Sequence, residues 1–348
     1  MALRLLRGKD GRLTAYAQVA GGVARWTEDR PGGSSWTGPW LIEVPGLSQV
    51  TVAQGADGYA HLLGTRRTED KDGPRVDIVH ATQFQTGRPL TAWHSLGTPH
   101  PKDRAKARRI GPPAAALDST GALRVFVRNA GGGVSARRQD PKGTWERWTD
   151  WKGTHLLDGL SAAATADGRL ELFAPAGKGA ALRWYQPKPG AAPQRGEDIP
   201  ADAQPDSASA VESSPGTLTH YWRDAHSGEV LAWRPDAPAP ARLGGATGTG
   251  PVAAVRAVVD GHDCTVLAHR DTATGALAVA AYPCEDEAAG VWWTPSGEPG
   301  AHTPALAIDG QSRVVLAALG LDGGLLVARQ KTDEAGLALE AWTRVGRG

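Results

Sequence analysis

The sequence predicts an all-β protein, a seven-bladed β-propeller of four-stranded antiparallel blades, and three observations carry that expectation. A short apolar run opening on a small or prolyl residue recurs along the chain, a glycine-containing turn and a second apolar strand follow each run, and tryptophan returns near the end of most units. The 348 residues exceed the usual single-core domain, and 45 Gly and 25 Pro spread over the whole length favour many short elements joined by turns. No low-complexity linker divides the chain, so one radially repeated domain over 1–348 is expected.

The opening runs are Ser48-Gln49-Val50, Pro113-Ala114-Ala115, Ser161-Ala162-Ala163, Ser207-Ala208-Ser209, Pro251-Val252-Ala253 and Pro304-Ala305-Leu306, at successive spacings of 65, 48, 46, 44 and 53. Their turns are Asp57-Gly58, Thr120-Gly121, Asp167-Gly168, Pro215-Gly216, Asp260-Gly261 and Asp309-Gly310, with Asp10-Gly11 as a seventh, where the chain takes positive φ and reverses. Leu123 to Arg128, Leu170 to Ala174, Leu218 to Arg223 and Val314 to Leu319 then read as second strands. A third strand often ends in a residue pair closed by an aromatic: Arg25-Trp26, Arg183-Trp184, Ala232-Trp233 and Ala281-Tyr282. Arg137-Arg138 and Ala328-Arg329 depart from the pattern. A fourth strand carries Trp36 and Trp40, Trp93, Trp148 and Trp151, Trp292 and Trp293, or Trp342, and units four and five lack it.

Seven units result, spanning roughly 1–46, 47–110, 111–157, 158–203, 204–248, 249–300 and 301–348. The Ala-rich first strands suit the crowded region beside the axis, and bulky residues belong to the outer strands. Radial sheets bury both faces against their neighbours, so 41% apolar content suffices without one large core. Unit one holds four strands of its own from Leu3 onward, so a strand shared between the termini is not evident, and how the ring closes is not legible in the sequence.

With 38 basic and 37 acidic residues the net charge is +1, too weak a field to favour nucleic acid or an anionic membrane as partner. The basic run Lys102, Arg104, Lys106, Arg108 and Arg109 reads as a solvated insertion. The first residues lack the apolar run of a secretory signal and no stretch is long enough to span a bilayer, so a cytoplasmic location is expected. Cys264 and Cys284 flank a hairpin near Thr272 to Gly275; free thiols are expected in a reducing compartment, although the spacing leaves a disulfide open.

The repeat resembles the bacterial fucose-binding seven-bladed lectins and related tectonin-like propellers. The resemblance is carried by Pro113 to Gly153, with Ala-Leu-Arg-Val-Phe-Val-Arg and then Gly-Thr-Trp-Glu-Arg-Trp-Thr-Asp-Trp, and by Gly32 to Trp40. It implies sugar recognition in pockets between blades, with an aromatic ring beneath the apolar face of each sugar, and no cofactor. Trp26, Trp184, Trp233 and Tyr282 are the ligand-stacking candidates. The residues after them, Thr27, Tyr185, Arg234 and Pro283, differ from copy to copy, which points to one specialised site or none.

A second candidate region is the funnel at one end of the axis, where loops entering each first strand meet loops joining second to third strands. The entry loops bring Arg109, His155, Asp158, Asp206 and His302, and the other set brings Arg67, Asp224, His226 and Asp271. Arg109, Asp158 and His226 are polar ligand contacts there. His155, Asp206 and His302 are the acid–base candidates if the protein is an enzyme. Each also reads as an ordinary solvated loop residue, and His61, His220 and His269 read as hydrogen-bonded strand histidines. No zinc spacing, nucleophile elbow or phosphate-cradling loop is present.

Three functions fit. The first is a lectin-like module binding a sugar or another small molecule, the second a cofactor-independent cyclase, lyase or hydrolase of specialised metabolism working in the funnel, and the third a protein-interaction scaffold. Oligomeric state is not legible in the sequence.

Overall fold

The computed structural model describes residues 3–140, 142–299 and 303–346, and these form seven antiparallel sheets set as blades. Blade 1 comprises Leu3–Arg7, Leu13–Val19, Gly22–Glu28 and Trp36–Glu43; blade 2, Leu47–Gln54, Ala60–Asp70, Gly73–Gln83 and His94–Gly97; blade 3, Ala114–Leu117, Leu123–Arg128, Val134–Arg138 and Thr149–Lys152. Blade 4 comprises Ser161–Ala164, Leu170–Ala176, Ala180–Tyr185 and a fourth strand in two pieces, Gln194–Arg195 and Ile199–Pro200, both paired to the third. Blade 5 comprises Ser209–Ser214, Thr217–Arg223, Val230–Trp233 and Ala241–Gly244; blade 6, Ala253–Val259, His262–Arg270, Ala276–Pro283 and Thr294–Pro299; blade 7, Ala305–Ile308, Val314–Leu319, Leu325–Arg329 and Thr343–Arg344. Among the described residues, no helix is long and apolar enough to cross a membrane.

First strands touch first strands all the way around the axis, blade 7 returning to blade 1. Their small side chains, as in Ala114–Leu117 and Ser161–Ala164, permit that approach. Apolar clusters then straddle each pair of neighbours; Phe173, Ile199 and Ala201 of blade 4, for example, pack with Trp222, Leu231 and Trp233 of blade 5. Three indoles lock successive blades in the same way. Trp148, Trp293 and Trp342 each stand one residue before a fourth strand, and each donates its Nε1–H to a carbonyl on the fourth strand of the preceding blade: Leu96 at 3.0 Å, Leu243 at 2.9 Å and Ser296 at 2.9 Å. Each bond contributes about 1 kcal/mol.

Closure joins blade 7 to blade 1 without an exchanged strand. Leu3, Leu5, Leu13, Ala15 and Trp26 meet Val315, Ala317, Leu319 and Val327 in one apolar layer. Inside it Arg329 donates to Glu28 at 2.8 Å and to the Gly33 carbonyl at 2.6 Å, while the other Glu28 oxygen accepts the Leu13 amide at 2.8 Å. Arg313 donates to the Gly32 carbonyl and Arg7 to the Asp309 carbonyl across the same seam.

Two local expectations change. The basic run is a capped turn of helix, Arg104–Ala107, whose N-cap Asp103 accepts the Lys106 amide at 2.9 Å and whose Ala107 is buried. Arg104 forks onto Asp70 with two bonds of 2.8 Å, so the segment docks on the long blade 2 hairpin. That hairpin also carries Arg67, which lies within a strand and not in a loop, because pairing continues out to Asp70 and Gly73.

Candidate functional site

The two loop sets of the funnel do meet. Leu156 N–H bonds to the Gly132 carbonyl, Ala225 to Asp202 and Thr272 to Thr247, each tying a second-to-third loop to an entry loop. Asp224 and Asp271 turn inward on their own loops. Asp224 accepts the Ser227 amide at 2.8 Å and Asp271 the Ala273 amide at 2.8 Å, so both carboxylates shape turns.

Asp158 and Asp206 are brought together. The Asp206 amide donates to the Asp158 carbonyl at 3.0 Å, and Arg128 donates to the Asp158 carboxylate at 2.7 Å. Gly159 makes this contact possible, since its φ is +92° and a Cβ there would stand 2.4 Å from the Asp206 backbone. Burial and the negative Asp158 nearby push the Asp206 pKa up. His155 is exposed, and among the described residues no hydrogen bond joins it to Asp206. Arg109 is exposed behind the docked helix. His226 is also exposed, its Nδ1 3.9 Å from Asp202. His302 lies outside the described residues.

The four third-strand aromatics share one orientation, each facing the preceding blade. Trp26 is 2% exposed in the closure seam, Trp184 is buried against blade 3, and Trp233 packs on blade 4. The Tyr282 hydroxyl pairs with that of Tyr221 at 2.6 Å, inside the blade 5–6 contact. Their faces are engaged in packing, which accounts for the regularity of the pattern. Around Trp233 the seam is polar: Arg183 forks onto Glu171 at 2.7 and 2.8 Å, and His220 Nε2 lies 3.1 Å from the same carboxylate. Burial raises the Glu171 pKa, but the hydrogen bonds from His220 and Arg183 outweigh it and hold the carboxyl at about 2.

The blade 2 histidines are hydrogen-bonded to one another, whereas both ring nitrogens of His269 lack a hydrogen-bond partner among the described residues, contrary to the expectation for that strand histidine. His61 Nδ1 meets His80 Nε2 at 3.1 Å, and His80 Nδ1 meets His94 Nε2 at 3.2 Å, a chain running from the second strand of blade 2 to its outer edge. Burial, reinforced by His61 and His94, lowers the His80 pKa to about 3. His269 is edge-on to Trp293 at 4.5 Å, and burial lowers its pKa to about 4. Cys264 and Cys284 are free; Cys264 stands opposite Pro283, one residue out of register with Cys284.

An open cleft of about 340 Å³ lies between blades 6 and 7, at the end of the blades opposite the funnel. Asp260 and His262 from the first turn of blade 6, Trp292 and Thr294 at its fourth strand, and Gly336 and Leu337 of blade 7 line it. Trp292 is 86% exposed. Consecutive residues on an extended segment face opposite ways, so with Trp293 bonded to Leu243 in the blade 5 seam, Trp292 is turned outward. Asp260 accepts the Gly336 amide at 2.7 Å, which binds the two lips together. The sequence showed Trp292 only as one of a tandem pair; the structure, not the sequence, separates the locking indole Trp293 from the exposed Trp292.

No family profile and no curated protein matches this chain. Solved structures do. The BP39L lectin from Burkholderia pseudomallei superposes with a TM-score of 0.74 at 16% identity, over 99% of this chain and 98% of that one. The Hadza microbial sialidase Hz136 gives 0.55 at 15% identity, over 87% of this chain and 70% of that one. An arginine-to-alanine triple mutant of AofleA from Arthrobotrys oligospora gives 0.52 at 9% identity, over 87% and 88%. At such identities the likeness speaks to architecture, and with the seven sheets and the unbroken inner ring it establishes a closed seven-bladed β-propeller.

Proposed function

We propose that the protein is a lectin-like module that binds carbohydrate in the cleft between blades 6 and 7. The observation that carries this reading is the exposed Trp292 ring bordering a cleft that also offers the Asp260 carboxylate, the His262 imidazole and the Thr294 hydroxyl. A pyranose has one face of C–H groups and a rim of hydroxyls, so it matches an indole flanked by donors and acceptors. The likeness to a solved lectin of the same length supports the reading. A glycan array followed by calorimetry with simple monosaccharides, L-fucose included, tests it. Binding is expected to weaken about tenfold or more in Trp292→Ala and to persist in Trp40→Ala, whose ring is exposed on another blade. Absence of any sugar binding at millimolar concentration would overturn the function, and unchanged binding by Trp292→Ala would overturn the site.

A second reading places acid–base chemistry in the funnel, and one observation favours it: the Asp158–Asp206 pair, in which one carboxyl is driven toward its protonated form. Turnover of a substrate surviving Asp206→Asn in the folded protein would remove that support.

A further inference from the structure

We infer that the axial channel binds a small oxyanion, a carboxylate or a phosphate, against the guanidinium of Arg4. A cavity of about 170 Å³ lies on the axis among the first strands of blades 1, 5, 6 and 7, lined by Arg4, Ser209, Pro251, Val252, Thr303 and Leu306 among others. Among the described residues, Arg4 is the one ionisable side chain on this lining; the rest is small, prolyl or apolar apart from Ser209 and Thr303.

Arg4 makes no hydrogen bond and no ion pair among the described residues, and its Nε is shut off from solvent without a partner. Among the described residues Arg124 also lacks a hydrogen bond, but its guanidinium lies over the Trp151 ring at 5.5 Å, and other enclosed arginines are paired. Arg329 has Glu28 and the Gly33 carbonyl, Arg183 has Glu171, and Arg223 donates to the carbonyls of Gly228, Gly250 and Ala246. A guanidinium carries five N–H donors and stays charged at any physiological pH, so it does not escape burial by losing its proton. Burial lowers its pKa, and no ion pair ties it to a carboxylate among the described residues.

The missing acceptor is therefore an anion from outside the chain. The planar fork suits the two oxygens of a carboxylate or phosphate. Ser209, whose hydroxyl now donates to the Val252 carbonyl at 2.7 Å, supplies a further polar contact at the wall. The volume suits an ion of that size with a few waters and is half that of the blade 6–7 cleft. This site is independent of the sugar cleft.

Thermal unfolding at constant ionic strength tests the inference, with chloride replaced stepwise by inorganic phosphate in one series and by acetate in another. A ligand that binds only the folded state raises Tm with its concentration. The expected result is such a rise in the wild-type protein with at least one of the two oxyanions, the more effective of them identifying the ligand class, and a requirement for about tenfold more anion in Arg4→Gln. A wild-type Tm indifferent to both oxyanions, or an equal rise in Arg4→Gln, overturns it. Should Arg4→Gln fail to fold, selenate soaked into crystals of the wild-type protein decides: an anomalous peak within hydrogen-bond distance of Arg4 upholds the site, and an empty channel ends it.

Discussion

Arg329 and Glu28 stand 301 residues apart in the chain and 2.8 Å apart in space, both buried where the last blade meets the first. Propeller closure here is therefore a face-to-face contact between sheets that each keep their own strands. Removing Arg329 leaves the buried Glu28 carboxylate with only the Leu13 amide to offset its charge, so Arg329→Met is expected to cost about 3–5 kcal/mol in chemical denaturation at neutral pH. Adding Glu28→Gln to it is expected to recover part of that loss, because the stranded charge goes too. A single-variant loss below about 1 kcal/mol would show that the apolar layer closes the ring unaided.

Glu171 couples blade 4 to blade 5 through His220. Its folded pKa of about 2 lies below the ordinary glutamate value of 4.5, so its contribution to stability is full above about pH 4.5 and is lost as pH falls toward 2. Glu171→Gln is expected to lose about 3 kcal/mol at pH 7 and to show a flatter stability curve across that acid window. Parallel wild-type and variant curves from pH 5 to 2 would contradict the assignment.

His80 acts in the same direction through desolvation. A folded pKa of about 3 beneath the ordinary 6.5 means that the neutral ring is favoured on folding, so stability is present above pH 6.5 and drains as pH falls toward 3. His80→Gln keeps hydrogen-bonding capacity next to His61 and His94 and is expected to remove part of the acid sensitivity between pH 6 and 4, read by urea midpoints at each pH. An unchanged slope would mean that the ring titrates freely.

Asp206 runs the other way. Burial and the Asp158 charge raise its folded pKa, so the folded state favours the protonated acid, and the ionised form at pH 7 is a burden. Asp206→Asn is expected to raise Tm at pH 7, with the gain shrinking as pH falls through the raised folded pKa and lost below the ordinary aspartate value. Asn also suits the positive φ of 58° here, but that preference does not vary with pH, so the pH dependence isolates the charge effect. A gain of equal size at pH 7 and pH 3 would leave only the backbone explanation.

Much of the architecture was legible because it is periodic. Asp-Gly turns, Ala-rich first strands and fourth-strand tryptophans repeat with the blade, and a repeat in sequence becomes a repeat in space whenever each copy must bury its faces against the next. The same periodicity misdirects the search for a site. Trp26, Trp184, Trp233 and Tyr282 recur because the seams recur, and a residue that returns at four seams in the same orientation is first of all a packing residue. The proposed sites lie at the departures instead: Trp292 beside the locking Trp293, Asp158 touching Asp206, and Arg4 among small and apolar neighbours.

By itself the sequence determined the all-β class, the sevenfold count and the inner position of the small-residue strands, since local alternation, turn residues and spacing specify which segments pair with their neighbours. Only the tertiary structure decided how the ring closes, which indole faces solvent and which charges meet. Those relationships join residues from different blades, Glu28 to Arg329 across the full length of the chain, and the distance between them is set by the accumulated rotation of seven sheets that no local pattern encodes.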